Sequence, residues 1–512
     1  MNGPQTRETL ANEIWRACDI LRRDNNCGGI MEYIEHLSWL LFLRFLDAQE
    51  EEWETQAKLE GKPYQPIIEH PYRWRDWAKK DWPADDLLSF VHGKLIPYLQ
   101  NLGGDPLRDT IRSVFAERTV IVCASGYNLK DVIQIIDGID FHSQDDIFTV
   151  SQVYEELLRR LGSENRLAGE FYTPRPVVRF IVELVDPKIG ETVYDPACGT
   201  CGFLVQASLH MRKHERTIED HRTLQERTFY GQEKKPLPAL LGLMNMVLHG
   251  VTSPHIVRKN TLEENIRQVT ERYDVIMTNP PFGGKEGRHI QQNFPIKSQA
   301  TELLFLQHIM KKLKPRDGAR CGMVVPEGTL FRGGAFAAVK RDLLEEFNLH
   351  TIVSLPPGTF APYSDVKTAL IFFERPGPTK EIWYYELPLP EGMKRFSKGN
   401  PIQDEHFAEA RKLWRAWDAY RKGKGPREAC LSEHSWIVSA EEIKKKDYDL
   451  TARNPNRPED EELPSPAEIV AGLLEKEREI LSIVEELSEM SAGGCGYNAE
   501  GTGGGSRWKL RK

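Results

Sequence analysis

The chain has 512 residues, of which 40% are hydrophobic and 28% charged; this composition is typical of globular proteins and excludes a disordered or fibrous chain. Because one hydrophobic core stops growing well below this length, two or three domains are expected. The formal net charge of −8 argues against a protein that holds nucleic acid by itself, since such proteins usually carry a basic excess.

Membrane association and secretion are not indicated. The longest apolar run, Leu37 to Leu46, is interrupted by Arg44 and is shorter than the roughly 20 residues of a membrane-spanning helix. The first ten residues are polar and lack a signal-peptide pattern. Eight scattered cysteines do not form the framework of a disulfide-stapled secreted domain. These features predict a cytoplasmic protein with reduced thiols.

Residues 1 to 150 are predicted to form an N-terminal all-helical domain. Apolar residues recur at helical spacing from Thr6 to Trp53. The segment Gly61 to Pro83 is dense in proline, tryptophan and charge, and helical patterns return at Leu87 to Leu102 and at Pro106 to Phe115.

Residues 151 to 385 are predicted to form an α/β domain. Between about residues 170 and 375, short β-branched or aromatic runs alternate with helical stretches, as in a wound α/β sheet. The predicted strands are Thr192–Pro196, Thr228–Gln232, Tyr273–Thr278, Arg320–Pro326, His350–Leu355 and Lys367–Glu374. The predicted helices are Phe203–Lys213, Leu237–Leu248, Glu302–Leu313 and Ala335–Phe347.

Three segments are predicted beyond the α/β domain. Residues 386–465 are charged and are expected to be an irregular connector. Apolar residues at helical spacing predict an amphipathic docking helix at 466–490. The glycine-rich end, 491–512, is expected to be a disordered tail.

A strand, a glycine loop and a helix start follow one another between Thr192 and Val205. Gly199 and Gly202 allow a ligand to approach the backbone closely, and the helix N-terminus offers free amide donors. The dinucleotide fingerprint G-x-G-x-x-G and the phosphate-loop signature are both absent, which favours a ligand without phosphates. Glu233, at the end of the next predicted strand, is the predicted ribose ligand.

Cys198 and Cys201 form a C-x-x-C pair inside this loop. Such pairs elsewhere indicate redox chemistry or zinc, but no second pair of Cys or His lies at metal spacing. The two cysteines are therefore interpreted as loop-packing residues, and no metal site is predicted.

A second loop follows the apolar strand that ends at Thr278 and reads Asn279-Pro280-Pro281-Phe282. The prolines remove amide donors, which leaves the Asn279 side-chain oxygen and the Pro280 carbonyl as acceptors. Two acceptors suit an amino group whose lone pair attacks a sulfonium methyl, and Phe282 offers a face for stacking a base. A base in a duplex would have to be flipped out, at a few kcal/mol partly recovered by stacking worth about 1 to 3 kcal/mol.

These two motifs, with Gly169-Glu-Phe-Tyr-Thr-Pro-Arg175 before them, resemble those of the DNA amino-methyltransferases, most closely the modification subunits of type I restriction systems. The resemblance covers nearly the whole chain and includes Pro356–Pro362, Lys367–Phe373 and Tyr448–Pro455. It implies a class I methyltransferase fold, with a Rossmann-like mixed sheet, and S-adenosylmethionine as cofactor. The implied reaction is site-specific methylation of the exocyclic amine of adenine in DNA.

The resemblance also assigns cofactor contacts. In that family the Phe-Tyr-Thr-Pro segment closes over the methionine end of S-adenosylmethionine. The resemblance assigns this role to Glu170, Phe171, Tyr172, Thr173, Pro174 and Arg175. It assigns the cofactor contacts of the glycine loop to Asp195, Thr200, Cys201 and Gly202. Cys201 stands where the family has glycine, so its side chain is expected to narrow the loop. Asn260 stands where relatives often present Asp to the cofactor adenine, and its side chain can still accept from that amine.

Family members work as two modification subunits around one specificity subunit, with a translocating restriction subunit added for cleavage. The resemblance therefore implies DNA, a specificity subunit and a restriction subunit as partners, and no membrane.

Three alternatives remain open. The first is a glutamine-directed protein methyltransferase, because an amide nitrogen requires the same acceptors from the loop. Such enzymes usually have Tyr after the prolines and lack the N-terminal and C-terminal helical segments. A self-sufficient DNA adenine methyltransferase or fused restriction enzyme is the second, although no nuclease cluster is evident. A silent scaffold is the third, and the intact Asn279 to Phe282 argues against it.

Overall fold

The computed structural model describes residues 7–27, 29–104, 106–115, 123–164, 172–251, 253–361, 364, 366–456, 476–478 and 480–481. Met1–Asn454 form one compact unit and Pro455–Lys512 a second. Nearly all of the predicted docking helix at 466–490, the whole predicted tail at 491–512, Glu170 and Phe171 lie outside the described residues. No helix in the described part is long and apolar enough to cross a membrane.

The N-terminal region is helical, because its apolar side chains recur every three or four residues and together bury one core. Trp39 and Phe42 are among its fully buried side chains. Its described helices are α1 (Arg7–Arg22), α2 (Ile30–Leu59), α3 (Trp74–Trp77), α4 (Ala84–Phe90), α5 (Ile96–Gln100), α6 (Pro106–Phe115), α7 (Gly126–Asp137) and α8 (Gln144–Glu164), with a π-helical turn at Val91–Leu95. Helix α8 runs through residue 150, where the sequence places the domain boundary.

A nine-stranded sheet follows, with the order β3-β2-β1-β4-β5-β7-β6-β8-β9. Its strands are β1 (Val193–Asp195), β2 (Phe229–Glu233), β3 (His255–Arg258), β4 (Val275–Thr278), β5 (Arg320–Pro326), β6 (Asn348–Ser354), β7 (Thr368–Glu374), β8 (Glu381–Glu386) and β9 (Ser435–Ser439). Strands β1 to β5 are parallel, and β7 runs antiparallel between β5 and β6. The register places Val193 beside both Phe229 and Val275. All six predicted strands are present, whereas β3, β8 and β9 were not predicted.

Helices cover both faces of the sheet, as the alternation along β4 shows: Val275 and Met277 join one hydrophobic core, and Ile276 joins the other. The first core includes residues of the helices Arg175–Val185, Gly202–Arg212 and Ala408–Arg421, and the second includes residues of the helices Thr301–Lys312 and Ala335–Glu346. The helices are α9 (Arg175–Val185), α10 (Gly202–Arg212), α11 (Ile218–Glu226), α12 (Pro236–Leu248), α13 (Arg288–Gln291), α14 (Thr301–Lys312), α15 (Gly328–Phe331), α16 (Ala335–Glu346), α17 (Ala408–Arg421) and α18 (Ala440–Lys445). This is the Rossmann-like mixed sheet predicted from the sequence.

The prediction of an irregular connector at 386–465 is wrong for much of its described part. This segment contains α17, β9 and α18, and β9 pairs with β8 at the edge of the sheet. The high charge of the segment hid the pattern, because in α17 only Ala410, Leu413 and Trp417 are buried. These three residues recur at helical spacing and pack against the sheet, while the charged residues between them are solvated.

Candidate active site

The candidate site lies where three neighbouring parallel strands end. Strand β1 ends at Asp195, β2 at Glu233 and β4 at Thr278. Carboxyl ends of parallel strands share one edge of the sheet, and ligands of such sheets bind in the crevice there. The structure therefore brings the glycine loop after β1 and the Asn279 loop after β4 to a common edge.

The glycine loop turns through two left-handed residues before α10 begins. Gly199 has φ 49° and Cys201 has φ 58°, although Cys201 is not glycine. The Cys201 side chain is fully buried, and its sulfur faces α12, where a Cβ added to Gly242 would be 2.6 Å from Sγ. Gly242 therefore leaves space for the Cys201 side chain, which is not among the residues that line the cavity.

Helix α12 supports the glycine loop from behind. Asn245 donates from Nδ2 to the carbonyl oxygen of Thr200 at 2.8 Å. The opposite side of α12 is buried in the core of the N-terminal helices, where Leu240 and Leu243 contribute. The helical region and the glycine loop are thus packed on one shared helix.

Two buried carboxylates lie at the strand ends. Glu233 accepts from the Gly199 amide through Oε2 at 3.0 Å and from the Lys235 amide through Oε1 at 2.8 Å. Asp195 accepts from the Ala197 amide at 3.1 Å. Burial raises the pKa of Glu233 and raises the pKa of Asp195 to about 7. Each carboxylate oxygen has a second lone pair, so both groups can still accept from a ligand.

Arg175 brings a positive charge to the N-terminus of α10. Its Nη2 donates to Glu155 Oε2 on α8 at 3.0 Å, and its Nε donates to Glu155 Oε1. Its guanidinium also lies over the Tyr172 ring, 5.0 Å from the centroid. A Cβ added to Gly202 would overlap Arg175 Nη1, so any larger residue there would displace the guanidinium. A guanidinium beside free helix amides forms a cradle for an anion.

Asn279 is oriented by one hydrogen bond. Its Nδ2 donates to Thr173 Oγ1 at 3.0 Å, which joins the Phe-Tyr-Thr-Pro segment to the loop after β4. Its buried Oδ1 has no hydrogen-bond partner among the described residues. A buried amide oxygen that accepts no hydrogen bond costs about 1 to 3 kcal/mol. Such an unpaired acceptor in a folded protein is typical of a ligand-binding position.

The rest of this loop consists of two conformationally restricted prolines and an aromatic side chain. Pro280 is buried and Pro281 is exposed. Phe282 is half-buried, and its ring meets the Phe360 ring edge to face with centroids 6.3 Å apart. Phe360 therefore limits the orientations open to Phe282.

One cavity brings together part of the predicted site. Seven predicted site residues line it, namely Thr173, Arg175, Asp195, Gly199, Thr200, Gly202 and Asn279, together with Ala197, Cys198 and Phe203. The predicted residues that do not line it are Tyr172, Pro174, Cys201, Glu233, Asn260, Pro280, Pro281 and Phe282. Of these, Glu233 bonds the loop backbone directly, while Asn260 caps a short helical turn by accepting from the Leu262 amide at 3.3 Å.

Three supporting residues were missed by the sequence analysis. Glu155 and Asn245 lie on helices far along the chain from the groups they bind, so no local pattern signals them. Phe360 lies in the Pro356–Pro362 match, which was the available signal for it.

Comparison with known proteins gives consistent matches. The family described as N-6 DNA Methylase matches residues 143–463, and the HsdM N-terminal domain matches residues 10–136. The chain is 42% identical to the type I restriction enzyme EcoEI methylase subunit of Escherichia coli, over 85% of this chain and 88% of that protein. It is 30% identical to the EcoKI methylase subunit of Escherichia coli strain K12, over 86% of this chain and 80% of that protein.

Solved structures match the fold. A chain from a study of complex assembly and conformational transition of the type I R-M system is 82% identical, with a TM-score of 0.83 over 96% of this chain and 100% of that one. A type I restriction-modification methyltransferase subunit from Streptococcus thermophilus is 20% identical, with a TM-score of 0.60 over 88% of this chain and 99% of that one. The predicted methyltransferase fold is confirmed.

Proposed function

The chain belongs to the N-6 DNA methylase family, and we propose that it acts as a type I modification subunit through the loops after β1 and β4. The reaction is transfer of a methyl group to the exocyclic amine of adenine in DNA. The observation that carries the assignment of the site is Asn279, whose buried Oδ1 has no hydrogen-bond partner in the described part of the chain and whose Nδ2 donates to Thr173.

S-adenosylmethionine is the proposed cofactor, and when bound it supplies a methyl group on a cationic sulfur. The residues present fit such a ligand. The cradle formed by Arg175 and the N-terminus of α10 suits the methionine carboxylate, and the Asp195 carboxylate suits the cationic end. Glu233 is the proposed acceptor from the ribose hydroxyls.

The remaining predicted cofactor contacts are kept as proposals. Tyr172, Thr173 and Pro174 form the described end of the Phe-Tyr-Thr-Pro segment, and Thr173 lines the cavity. Cys201 contributes by shaping the loop from behind, and Asn260 is the proposed contact to the cofactor adenine. Glu170 and Phe171 are proposed from the sequence alone.

The Asn279 loop is proposed to hold the target base. Asn279 Oδ1 and the Pro280 carbonyl accept the two hydrogens of the adenine amine, which directs its lone pair toward the methyl group. An amide oxygen is not a base, so Asn279 orients the amine and does not deprotonate it. Phe282 stacks on the flipped base, and Phe360 holds that ring in place.

Partner subunits are proposed to supply target recognition. The chain carries a formal charge of −8, so the basic surface needed for DNA is expected on a specificity subunit. We propose two modification subunits around one specificity subunit, with a restriction subunit added for cleavage.

The test is transfer of labelled methyl from S-adenosylmethionine to DNA without adenine methylation, followed by base analysis. The chain is assayed alone and then with its co-expressed specificity subunit. Methyladenine that forms only with the partner supports the proposal. Label in protein would favour a glutamine-directed enzyme, and methyladenine from the lone chain would mean that it recognises DNA itself.

A further inference from the structure

Three side chains with metal-binding atoms meet in the N-terminal helical region, outside the site described above. Cys27 follows α1, His36 lies on α2 and Cys123 precedes α7. The exposed fractions are 0% for Cys27, 1% for His36 and 1% for Cys123. The candidate ligand atoms of all three lie within 4.8 Å of one another. Thiolate sulfur and imidazole nitrogen are the donors that zinc prefers in proteins.

A buried carboxylate brings the two cysteines together. Asp24 is 4% exposed and accepts four hydrogen bonds of 2.6 to 3.1 Å. The donors are the amides of Asn26, Ala124 and Ser125 and the side chain of Asn128. These bonds fasten the turn after α1 to the start of α7, which places Cys27 beside Cys123. The juxtaposition is therefore built into the fold of this region.

His36 is held with one nitrogen directed away from the backbone. Its Nδ1 lies 2.7 Å from the carbonyl oxygen of Glu32. Because a carbonyl can only accept, Nδ1 carries the proton and Nε2 presents its lone pair. A backbone carbonyl that fixes the tautomer in this way is the usual outer support of a zinc-binding histidine.

The spacing of the donors fits a zinc ion. Cys27 Sγ lies beside the imidazole edge, 4.0 Å from His36 Nε2 and 3.7 Å from Nδ1. With Zn–S and Zn–N bonds of about 2.3 and 2.0 Å, a tetrahedral site separates sulfur from nitrogen by roughly 3.5 Å, so Cys27 Sγ and His36 Nε2 need to approach each other by about half an ångström.

We propose that Cys27, His36 and Cys123 bind one zinc ion that joins α1, α2 and the start of α7. Two thiolates and a neutral imidazole balance the charge of Zn²⁺, as a buried location requires. Binding releases the two thiol protons, and a water molecule completes the tetrahedron. The site was not predicted from the sequence, because its ligands are spread over 97 positions with no zinc-finger spacing.

Metal analysis of the full chain, purified without a histidine tag, is the first test. We expect one equivalent of zinc that remains after gel filtration in mild chelator. Cys27→Ser and Cys123→Ser should each lose it, while Cys18→Ala should keep it. Cys18 is the matched control, since it is a buried cysteine of the same helical region outside the cluster. Zinc retained by both serine variants would overturn the proposal.

Two measurements on the unmodified sequence keep the test decisive if the variants do not fold. Replacement of zinc by cobalt should produce a sulfur-to-metal charge-transfer band in the near ultraviolet. Removal of the metal should lower the thermal midpoint by several degrees, because a ligand of the native state alone stabilises it. No metal in the zinc-supplemented protein, no cobalt–sulfur band, or a disulfide between Cys27 and Cys123 in peptide mapping would each refute the site.

Discussion

At the scale of single residues, the two polar atoms of the Asn279 amide have different roles. Its Nδ2 is occupied by Thr173 Oγ1 at 3.0 Å, so the amide plane cannot turn freely. Its Oδ1 consequently has a fixed direction, and none of the described residues donates to it. Because this acceptor is already fixed in the folded protein, no further conformational entropy is lost when substrate binds. This is the basis of catalysis by preorganisation.

The first prediction concerns this acceptor and the stacking ring. Asn279→Ala and Phe282→Ala are expected to lower the rate of methyl transfer by roughly a hundredfold or more, since each removes a group that acts on the base. The affinity for S-adenosylmethionine should stay the same as in the unsubstituted protein. Single-turnover transfer in the complete complex and calorimetry with S-adenosylmethionine separate the two effects. Asn101→Ala, on an exposed part of the helical region, is the control; unchanged turnover in the site variants would refute the assignment.

The second prediction concerns the charge of Asp195. Burial raises its pKa to about 7, so this carboxyl is mostly ionised at pH 8 and mostly protonated at pH 6. If the ionised form binds the cationic end of the cofactor, the Kd should rise roughly tenfold between pH 8 and pH 6. Glu233 lies nearby with a raised pKa and titrates in the same direction. Asp195→Asn should flatten the Asp195 part of the profile; an equally steep profile in that variant would assign the dependence to another group.

At the scale of secondary-structure elements, two helices connect the N-terminal region to the site. Helix α8 supplies Glu155 to Arg175, and α12 packs between the N-terminal core and the glycine loop. Each contact joins segments far apart in the chain. A displacement of the helical region would therefore change the anion cradle and the loop together.

The third prediction tests the α8 contact. Glu155→Gln leaves the Arg175 side chain, which is 15% exposed, without its counter-charge. The free energy of unfolding should fall by an amount between the ~1 kcal/mol of an exposed ion pair and the ~3 kcal/mol of a buried one. The fall is measured as a lower thermal midpoint. Cofactor affinity should also fall, because the guanidinium is no longer held at the N-terminus of α10. Glu156→Gln is the matched control, since Glu156 pairs with Arg159 and Arg160 on the same helix. Equal behaviour of the two variants would remove Glu155 from the site.

At the scale of the whole molecule, the charge balance predicts dependence on a partner. With a formal charge of −8, the lone chain should bind DNA no more tightly than the ~10⁻⁴ to 10⁻⁶ M of non-specific binding at physiological salt. Addition of the specificity subunit should tighten binding by several orders of magnitude and make it depend on DNA sequence. Fluorescence anisotropy with matched and scrambled duplexes measures both. Sequence-dependent binding by the lone chain would contradict this fourth prediction.

The sequence by itself determined the parts of this protein that depend on neighbouring residues. Periodicity predicted six strands and four of the helices between them, and the glycine loop and Asn279-Pro280-Pro281-Phe282 predicted the two site loops, because local spacing controls both secondary structure and turn geometry. The resemblance then predicted the fold and the reaction. In contrast, α17 was hidden by its many charged residues, because only Ala410, Leu413 and Trp417 are buried.

Only the tertiary structure decided the contacts between distant segments. It turned Cys201 toward Gly242 and away from the cavity, and it paired Arg175 with Glu155. It also brought Cys27, His36 and Cys123 together through the bonds of Asp24. Such contacts follow from how buried surfaces pack and how buried polar groups find partners, and no short-range pattern in a single sequence records either.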